Sequence, residues 1–260
     1  MLKINNLFLT MDKTEILKDI NISFNEGEII GIIGKSGAGK TALLKVIAGL
    51  IKNFSGEILL NDKSIKSIQV KDIQKQITLL LSNNSLDIID DTVFNYLLQS
   101  RKSFKKFLNP FSDVDIQITE EYINLFNLDK FKNKKVLKLS DGIYKKVAVA
   151  FPFIKSSDIL LMDNPTSNLD IESFSLLQKA IFKYSINGNK IIIIASNDLN
   201  FLLQTADKIV IMEEGGITAE TSPDHIDTQI IKKIFNTEVL LSRNIYNGKL
   251  TVHQFLSGAG

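Results

Sequence analysis

Cysteine and tryptophan are both absent from the 260 residues. Without cysteine there is no disulfide framework, no thiol nucleophile and no Cys-ligated metal. The absence suits a reducing compartment. Arginine is almost missing: Arg101 and Arg243 are the only two, and neither sits in an obvious lid. A small-molecule kinase normally needs lid arginines to spread charge off the transferred phosphoryl group, so that class is disfavoured. No apolar run approaches the ~18 residues of a membrane span. No basic segment followed by an apolar one opens the chain, so a cytoplasmic location is expected. Net charge is +2, with Lys+Arg 31 against Asp+Glu 29, which gives no global field toward nucleic acid or anionic lipid. The abundance of lysine beside Ile and Asn is a compositional bias, not a basic patch.

What is present is an α/β pattern. Hydrophobic content of 44% and charged content of 23% are ordinary for a globular chain, long enough for an ample core. Leu2 to Leu9 and Ile16 to Phe24 read as strands around a turn at Asp12-Lys13-Thr14. Glu28 to Ile33, Ile77 to Leu81, Asp158 to Met162, Lys190 to Ala195 and Lys208 to Met212 read as strands of a sheet, several apolar on both faces and so buried. Gly56 to Leu60 is a short strand before an Asn61-Asp62 turn. Between Asp90 and Leu139 the pattern turns helical. Thr92 caps one helix, Thr119-Glu120-Glu121 starts another, and Ser103 to Gln117 reads as loop with a short helix. Ser140 is expected to cap a helix to about Ala150, with Pro152 near its end. Asp170 to Tyr184 and Asp224 to Phe235 are further helices. Gly215-Gly216 is a turn, and Asn247-Gly248 signals a type I′ hairpin with arms Val239 to Leu241 and Leu250 to Val252.

Chemistry concentrates first at Gly34-Lys35-Ser36-Gly37-Ala38-Gly39-Lys40-Thr41. The stretch follows a buried strand and opens a helical pattern, Ala42 to Leu50, which is the context a P-loop requires. Its glycines let backbone N–H groups turn toward phosphate oxygens, and the helix N-terminus adds partial positive charge. Lys40 is placed to reach the β- and γ-phosphates, and the Thr41 hydroxyl to bind Mg²⁺. A second Mg²⁺ group is Asp163, at the carboxyl end of the strand Ile159-Leu160-Leu161-Met162, where ligands bind in open α/β sheets. Leu139-Ser140-Asp141-Gly142 places a Ser and a Gly at another helix N-terminus.

In this order the motifs resemble those of ATP-binding cassette (ABC) transporter ATPases over essentially the whole chain. Gly34 to Thr41 is similar to the Walker A motif, Ile159 to Asp163 to Walker B, and Leu139 to Gly142 to the LSGG signature, with Asp141 replacing a glycine. Ser167-Asn168-Leu169-Asp170 resembles the D-loop, which carries Ser167 and Asp170. The resemblance implies a P-loop NTPase core with an antiparallel β subdomain and an inserted helical subdomain. It divides one domain, 1–260, into a core (1–89 and 140–222), a helical segment (90–139) and a C-terminal helix and hairpin (223–260). It implies ATP and Mg²⁺ as cofactors and head-to-tail pairing with a second ATPase subunit. Ser140, Asp141 and Gly142 would then complete the partner's ATP site. It also implies an integral membrane permease, an indirect link to a substrate-binding protein, no nucleic acid, and a peripheral place on the cytoplasmic face of the membrane. Thr92-Val93 to Arg101, Leu203 to Lys208 and Gly215-Gly216-Ile217 resemble the branch that drives iron-siderophore, haem or cobalamin importers.

Four positions depart from that family. Asn164 stands where a glutamate polarises the attacking water, and Asn197 where a histidine precedes Asp198. Ser82 aligns with a glutamine, and Met11 falls near the place of an aromatic that stacks on adenine. An amide cannot accept a proton, and losing a general base costs ~10²–10⁴ in rate. Asn197 still offers a hydrogen bond without histidine's charge or reach. Met11 keeps apolar contact without ring stacking. The groups that hold ATP are therefore kept and the groups that hydrolyse it are altered. The leading expectation is an importer ATPase with weakened turnover at its own site, as a homodimer or beside an intact partner. A non-hydrolysing regulatory subunit is the alternative. A soluble two-cassette protein acting on ribosomes or DNA fits one cassette and no long heptads less well.

Overall fold

The computed structural model describes residues 1–81, 90–104, 110–167, 169–186 and 188–254. Strands β1 (Leu2–Met11) and β2 (Thr14–Phe24) form a hairpin closed at Asp12-Lys13. Both turn residues have positive φ, 47° and 64°, as a two-residue type I′ turn requires. β3 (Ile29–Ile33) leads through the glycine loop into α1 (Lys40–Ile47). β4 (Ser55–Leu60) and β5 (Lys63–Ser64) follow, then α2 (Val70–Gln76) and β6 (Ile77–Leu80). The helical segment carries α3 (Val93–Gln99) and α4 (Asp113–Leu125), and α5 (Asp141–Lys155) follows it. Then come β7 (Ile159–Asp163), α6 (Ile171–Ile186), β8 (Ile191–Ala195), α7 (Leu199–Thr205), β9 (Lys208–Glu213) and β10 (Gly216–Thr221). The chain closes with α8 (Thr228–Phe235), β11 (Val239–Arg243) and β12 (Leu250–Gln254).

Two sheets sandwich α1. One is antiparallel, in the order β2-β1-β4-β5; the other runs β10-β9-β3-β8-β7-β6, parallel except for β10. The buried strands feed two cores alternately. Ile30, Ile32, Leu161 and Ile193 pack toward α1 and the antiparallel sheet, while Ile29, Ile33, Leu160, Ile192 and Ile194 pack toward the other helices. This is why β3, β7 and β8 read as continuous apolar runs. Each such side chain contributes ~1.5–3 kcal/mol of burial. The parallel register also aligns the strand ends: Ile32 and Asp163 both pair with Ala195.

Several elements differ from the sequence reading. α4 begins at Asp113, not near Thr119. Ser112 and Asp115 form a reciprocal capping box, and Thr119 lies fully buried in mid-helix, bonding back to the Asp115 carbonyl at 2.8 Å. α5 runs through Pro152 to Lys155. Its last turn is held by buried Phe153 and Ile154 and by Arg101, whose Nη1 donates to the carbonyls of Ile154 and Lys155. Arg101 also pairs with buried Asp115 at 2.9 Å, so it ties the helical segment to the end of α5. Ser140 occupies the N-cap position of α5 but makes no side-chain cap bond. Asn247 has no positive φ, so the β11–β12 turn is not type I′. It is a longer loop in which Gly248 N–H donates to the Asn244 carbonyl. α2 and β10, which the sequence reading did not place, are a short helix and a largely exposed strand.

Candidate functional site

The loop after β3 is held by its neighbours as well as by its own conformation. A Cβ on Gly34 would lie 2.2 Å from the Met212 carbonyl oxygen of β9. Gly39 has φ 95°, and a Cβ there would lie 2.9 Å from the Ile16 carbonyl oxygen of β2. Gly37, at φ 85°, faces open space. Ala38 N–H closes the loop on the Lys35 carbonyl at 3.1 Å. Ser36 is exposed beside them. Gly39 is the N-cap of α1 and offers no side chain, and the first turn holds no acidic residue. Its N–H groups therefore remain available to an anion. Lys40 is buried, and its Nζ donates to the carbonyls of Gly34 (2.6 Å) and Lys35 (3.0 Å). Burial lowers the Lys40 pKa from its ordinary value, and the Asp163 carboxylate opposes the shift.

Asp163, buried at the end of β7, accepts a 2.8 Å bond from the Thr41 hydroxyl on Oδ2. Its Oδ1 accepts from Asn164 Nδ2 at 3.2 Å. Asn164 has φ 47°, a left-handed conformation that asparagine tolerates better than most residues. Its N–H extends the ladder to the Ala195 carbonyl at 2.7 Å. Its Oδ1 accepts the Asn197 N–H at 3.2 Å. The loop after β8 is fixed further by Ser196 N–H on the Ile32 carbonyl, and Asp198 caps α7 by accepting from Phe201 N–H. The strand ends thus bring Thr41, Asp163, Asn164 and Asn197 into one chain of hydrogen bonds, within the electrostatic reach of Lys40.

The remaining expected site residues lie around this centre. Met11 is half-exposed at the tip of the β1–β2 hairpin, where it pairs with Thr14. Ile16 and Leu17 are the hairpin residues that reach Gly39. Ser140, Asp141 and Gly142 are exposed at the start of α5. Ser167 N–H donates to the Asn164 carbonyl at 3.1 Å. Asp170 accepts the Ser173 N–H at 2.7 Å, a bond that holds its carboxyl below the ordinary range. Two residues on, Glu172 accepts from Lys146 of α5 (2.9 Å) and Asn127 (2.8 Å), tying α5 to α6. Ser82 lies outside the described residues. Sequence reasoning missed Met212 and Ser196: one acts through a backbone carbonyl, the other as a loop anchor, and neither leaves a motif. Among the described residues no group of three His, Cys, Asp or Glu side chains is placed to hold a metal, and no helix is long and apolar enough to cross a membrane.

A glycine loop between buried strand and helix, with its threonine bonded to a strand-end aspartate, defines a P-loop nucleotide-binding domain. The family model described as ABC transporter matches residues 17–167, and the chain belongs to that family. An ABC transporter ATP-binding protein of Methanocaldococcus jannaschii is 30% identical over 93% of this chain and 93% of its own. The petrobactin import ATP-binding protein FpuD of Bacillus anthracis is 28% identical over 93% of this chain and 88% of its own. An ATP-binding cassette solved as a dimer in a post-hydrolysis state, bound to ADP and Pi, shares the fold. Its TM-score is 0.71 at 22% identity, covering 85% of this chain and 98% of that one. The chain is thus an ATP-binding subunit of a family whose activity is ATP-driven transport.

Proposed function

We propose that this subunit binds Mg-ATP at a dimer interface to drive a membrane permease that imports iron complexes (siderophore or haem) or cobalamin, with hydrolysis at its own site weakened. The observation that carries the weakened hydrolysis is the state of Asn164. Its amide donates to Asp163 and accepts from Asn197 N–H, so both ends are engaged and neither can take a proton from water. The import class is supported by the named function of the petrobactin relative and by the motif resemblance. Dimerisation is supported by the dimeric cassette that shares the fold. In such a dimer the exposed Ser140, Asp141 and Gly142 serve the partner's nucleotide, and Ser167 and Asp170 line the seam. The pairing is either a homodimer with slow turnover or a mixed dimer in which an intact partner site turns over while this chain's site holds ATP. Residues 90–139 form the helical subdomain of the assembly, which sits on the cytoplasmic face with the permease and, through it, a substrate-binding protein.

The residues present fit ATP and Mg²⁺. Thr41 and Asp163 already meet at 2.8 Å, a hydroxyl and a carboxylate with no crowd of further acids, as suits a cation that keeps phosphate and water ligands. Lys40 now holds loop carbonyls and can exchange them for phosphate oxygens. Gly34 to Gly39 supply the cradle, and Met11 offers an apolar contact to the base. What bound magnesium supplies is neutralisation of phosphate charge. Phosphate release by the purified chain, compared with Asn164→Glu, tests the hydrolysis reading. The variant is expected to be at least about tenfold faster, below the ~10²–10⁴ of a full general-base effect, because Glu must adopt a left-handed conformation beside Asp163. Equal rates overturn it. ATP-dependent uptake of ferric siderophore, haem or cobalamin by vesicles holding the subunit with its permease tests the import class; uptake of none of the three sinks it.

A further inference from the structure

α7 starts immediately after Asn197-Asp198, and its far side is gripped by the C-terminal hairpin. Asn200 meets the backbone of β12 at two points. Its Nδ2 donates to the Val252 carbonyl at 3.0 Å, and its Oδ1 accepts the Val252 N–H at 2.7 Å. One turn on, Gln204 Nε2 donates to the Leu250 carbonyl at 3.0 Å, and Gln204 Oε1 accepts from Asn247 Nδ2 at 2.8 Å. Lys249 Nζ donates to the Gln204 carbonyl at 2.6 Å. β11 pairs with one edge of β12, so the amides of α7 take the place of a third strand on the other. Beside this grip, buried Ile231, Ile234, Val239 and Leu250 join the apolar core that holds Phe201 and Leu202, and next to them opens a cavity of about 410 Å³. Asn197, Asp198 and Asn200 line one wall, and Ile231, Phe235 and Val239 another. Apolar packing thus seats the C-terminal unit on the body of α7, and the bonds of Asn200 to Val252 are its polar hold on the first turn of α7. From the inner side Asn164 Oδ1 holds the Asn197 N–H. The Asn197 side chain is exposed and makes no hydrogen bond among the described residues.

We propose that Asn200 is a positioning residue: through its paired bonds to Val252, the C-terminal hairpin braces the first turn of α7 and sets where Asn197 presents its amide to the γ-phosphate. The inference rests on reading Asn197 as the γ-phosphate contact. It predicts that loosening the brace lowers the preference for ATP over ADP and leaves ADP binding alone, because the P-loop that holds ADP does not touch the hairpin. The test measures ADP and ATPγS affinities of the full chain, with Mg²⁺, for the parent, Asn197→Ala, Asn200→Ala and the double variant. The expected result is a roughly fivefold loss of the ATPγS-over-ADP preference in each single variant, no further loss in the double, and unchanged ADP affinity. Unchanged preference in Asn200→Ala, or full additivity with Asn197→Ala, overturns the brace alone. Unchanged preference in Asn197→Ala overturns the reading of Asn197 and the brace with it. Retained ADP binding reports that each variant is folded. Should Asn200→Ala not fold, Gln204→Ala is measured in its place, with the same result expected in smaller size, and no loss there overturns the proposal.

Discussion

The two sides of the nucleotide site are built differently. On the phosphate side, Gly34 and Gly39 abut the backbone of β9 and β2, Lys40 is buried, and its bonds are 2.6 and 3.0 Å long. On the water side, Asn164 is half-buried and Asn197 exposed, and the bonds joining Asp163, Asn164 and Asn197 are 3.2 Å each. The first side is inseparable from the sheet packing, whereas on the second the Asn164 and Asn197 side chains add only amide bonds to backbone already held by Asn164 N–H on Ala195 and Ser196 N–H on Ile32. Net hydrogen bonds of that kind are worth only ~0.5–1.5 kcal/mol. Changing the water side therefore costs the fold little, while changing the phosphate side damages fold and binding together.

The largest effect that bears on this contrast is expected from Gly34→Ala. The added methyl meets a β9 carbonyl oxygen at 2.2 Å, and backbone cannot step aside as a flexible side chain can. A loss of about 3 kcal/mol or more is expected in chemical denaturation, at the upper end of overpacking costs, with nucleotide binding lost as well. Asn197→Ala and Asn164→Ala are the controls, the first expected within about 1 kcal/mol of the parent and the second to lose about 2 kcal/mol, since alanine must adopt φ 47° there. A Gly34→Ala chain as stable as these controls would break the comparison.

Next in size is Lys40. Its removal in Lys40→Ala is expected to weaken ADP binding about 10²-fold, the worth of charged hydrogen bonds to phosphate. The pH dependence follows from its surroundings. Burial lowers its pKa from 10.5 in the free protein, and bound phosphate, being anionic, raises it again. Affinity is therefore full below the lowered value and falls as pH rises through it, with proton uptake on binding in that window. Calorimetry in buffers of different ionisation enthalpy reads that proton directly. The uptake should vanish in Lys40→Ala and persist in Asn164→Ala; proton release, or the same uptake in both, contradicts this.

How far such a site is legible in sequence depends on whether contacts are local. Ile29 to Ile33 announces a buried parallel strand because every residue is apolar, and the loop after it is a contiguous motif. Asp163 is legible for the same reason, at the end of another apolar run. The bond between Asn164 and Asn197 is not, because it arises from the β7–β8 register that pairs Asp163 with Ala195. Local signals also lose to tertiary ones. Asn247-Gly248 has the composition of a type I′ turn, but Asn247 spends its amide on Gln204 and on Lys249 N–H instead. Two left-handed pairs that do form turns, Asp12-Lys13 and Asn61-Asp62, carry no glycine. The Ser112–Asp115 capping box was present to be read, and the more polar Thr119-Glu120-Glu121 run obscured it.

The smallest expected effect is the most discriminating about whether the water side acts as one unit. Asn197→His restores a longer donor able to carry charge, but with Asn164 unable to accept a proton it has no activated water to assist. Alone it should raise phosphate release less than about threefold, whereas added to Asn164→Glu it should contribute about tenfold, less than the ~10²–10⁴ of a full acid–base group because it assists a water that Glu activates. Residues that act together are non-additive in this sense. The structural ground for coupling is the bond from Asn197 N–H to Asn164 Oδ1, which a glutamate at position 164 can also accept. Equal gains from Asn197→His in both backgrounds would mean that the two positions work independently. The water side would then be two separate alterations, and its looseness a property of exposed loops alone.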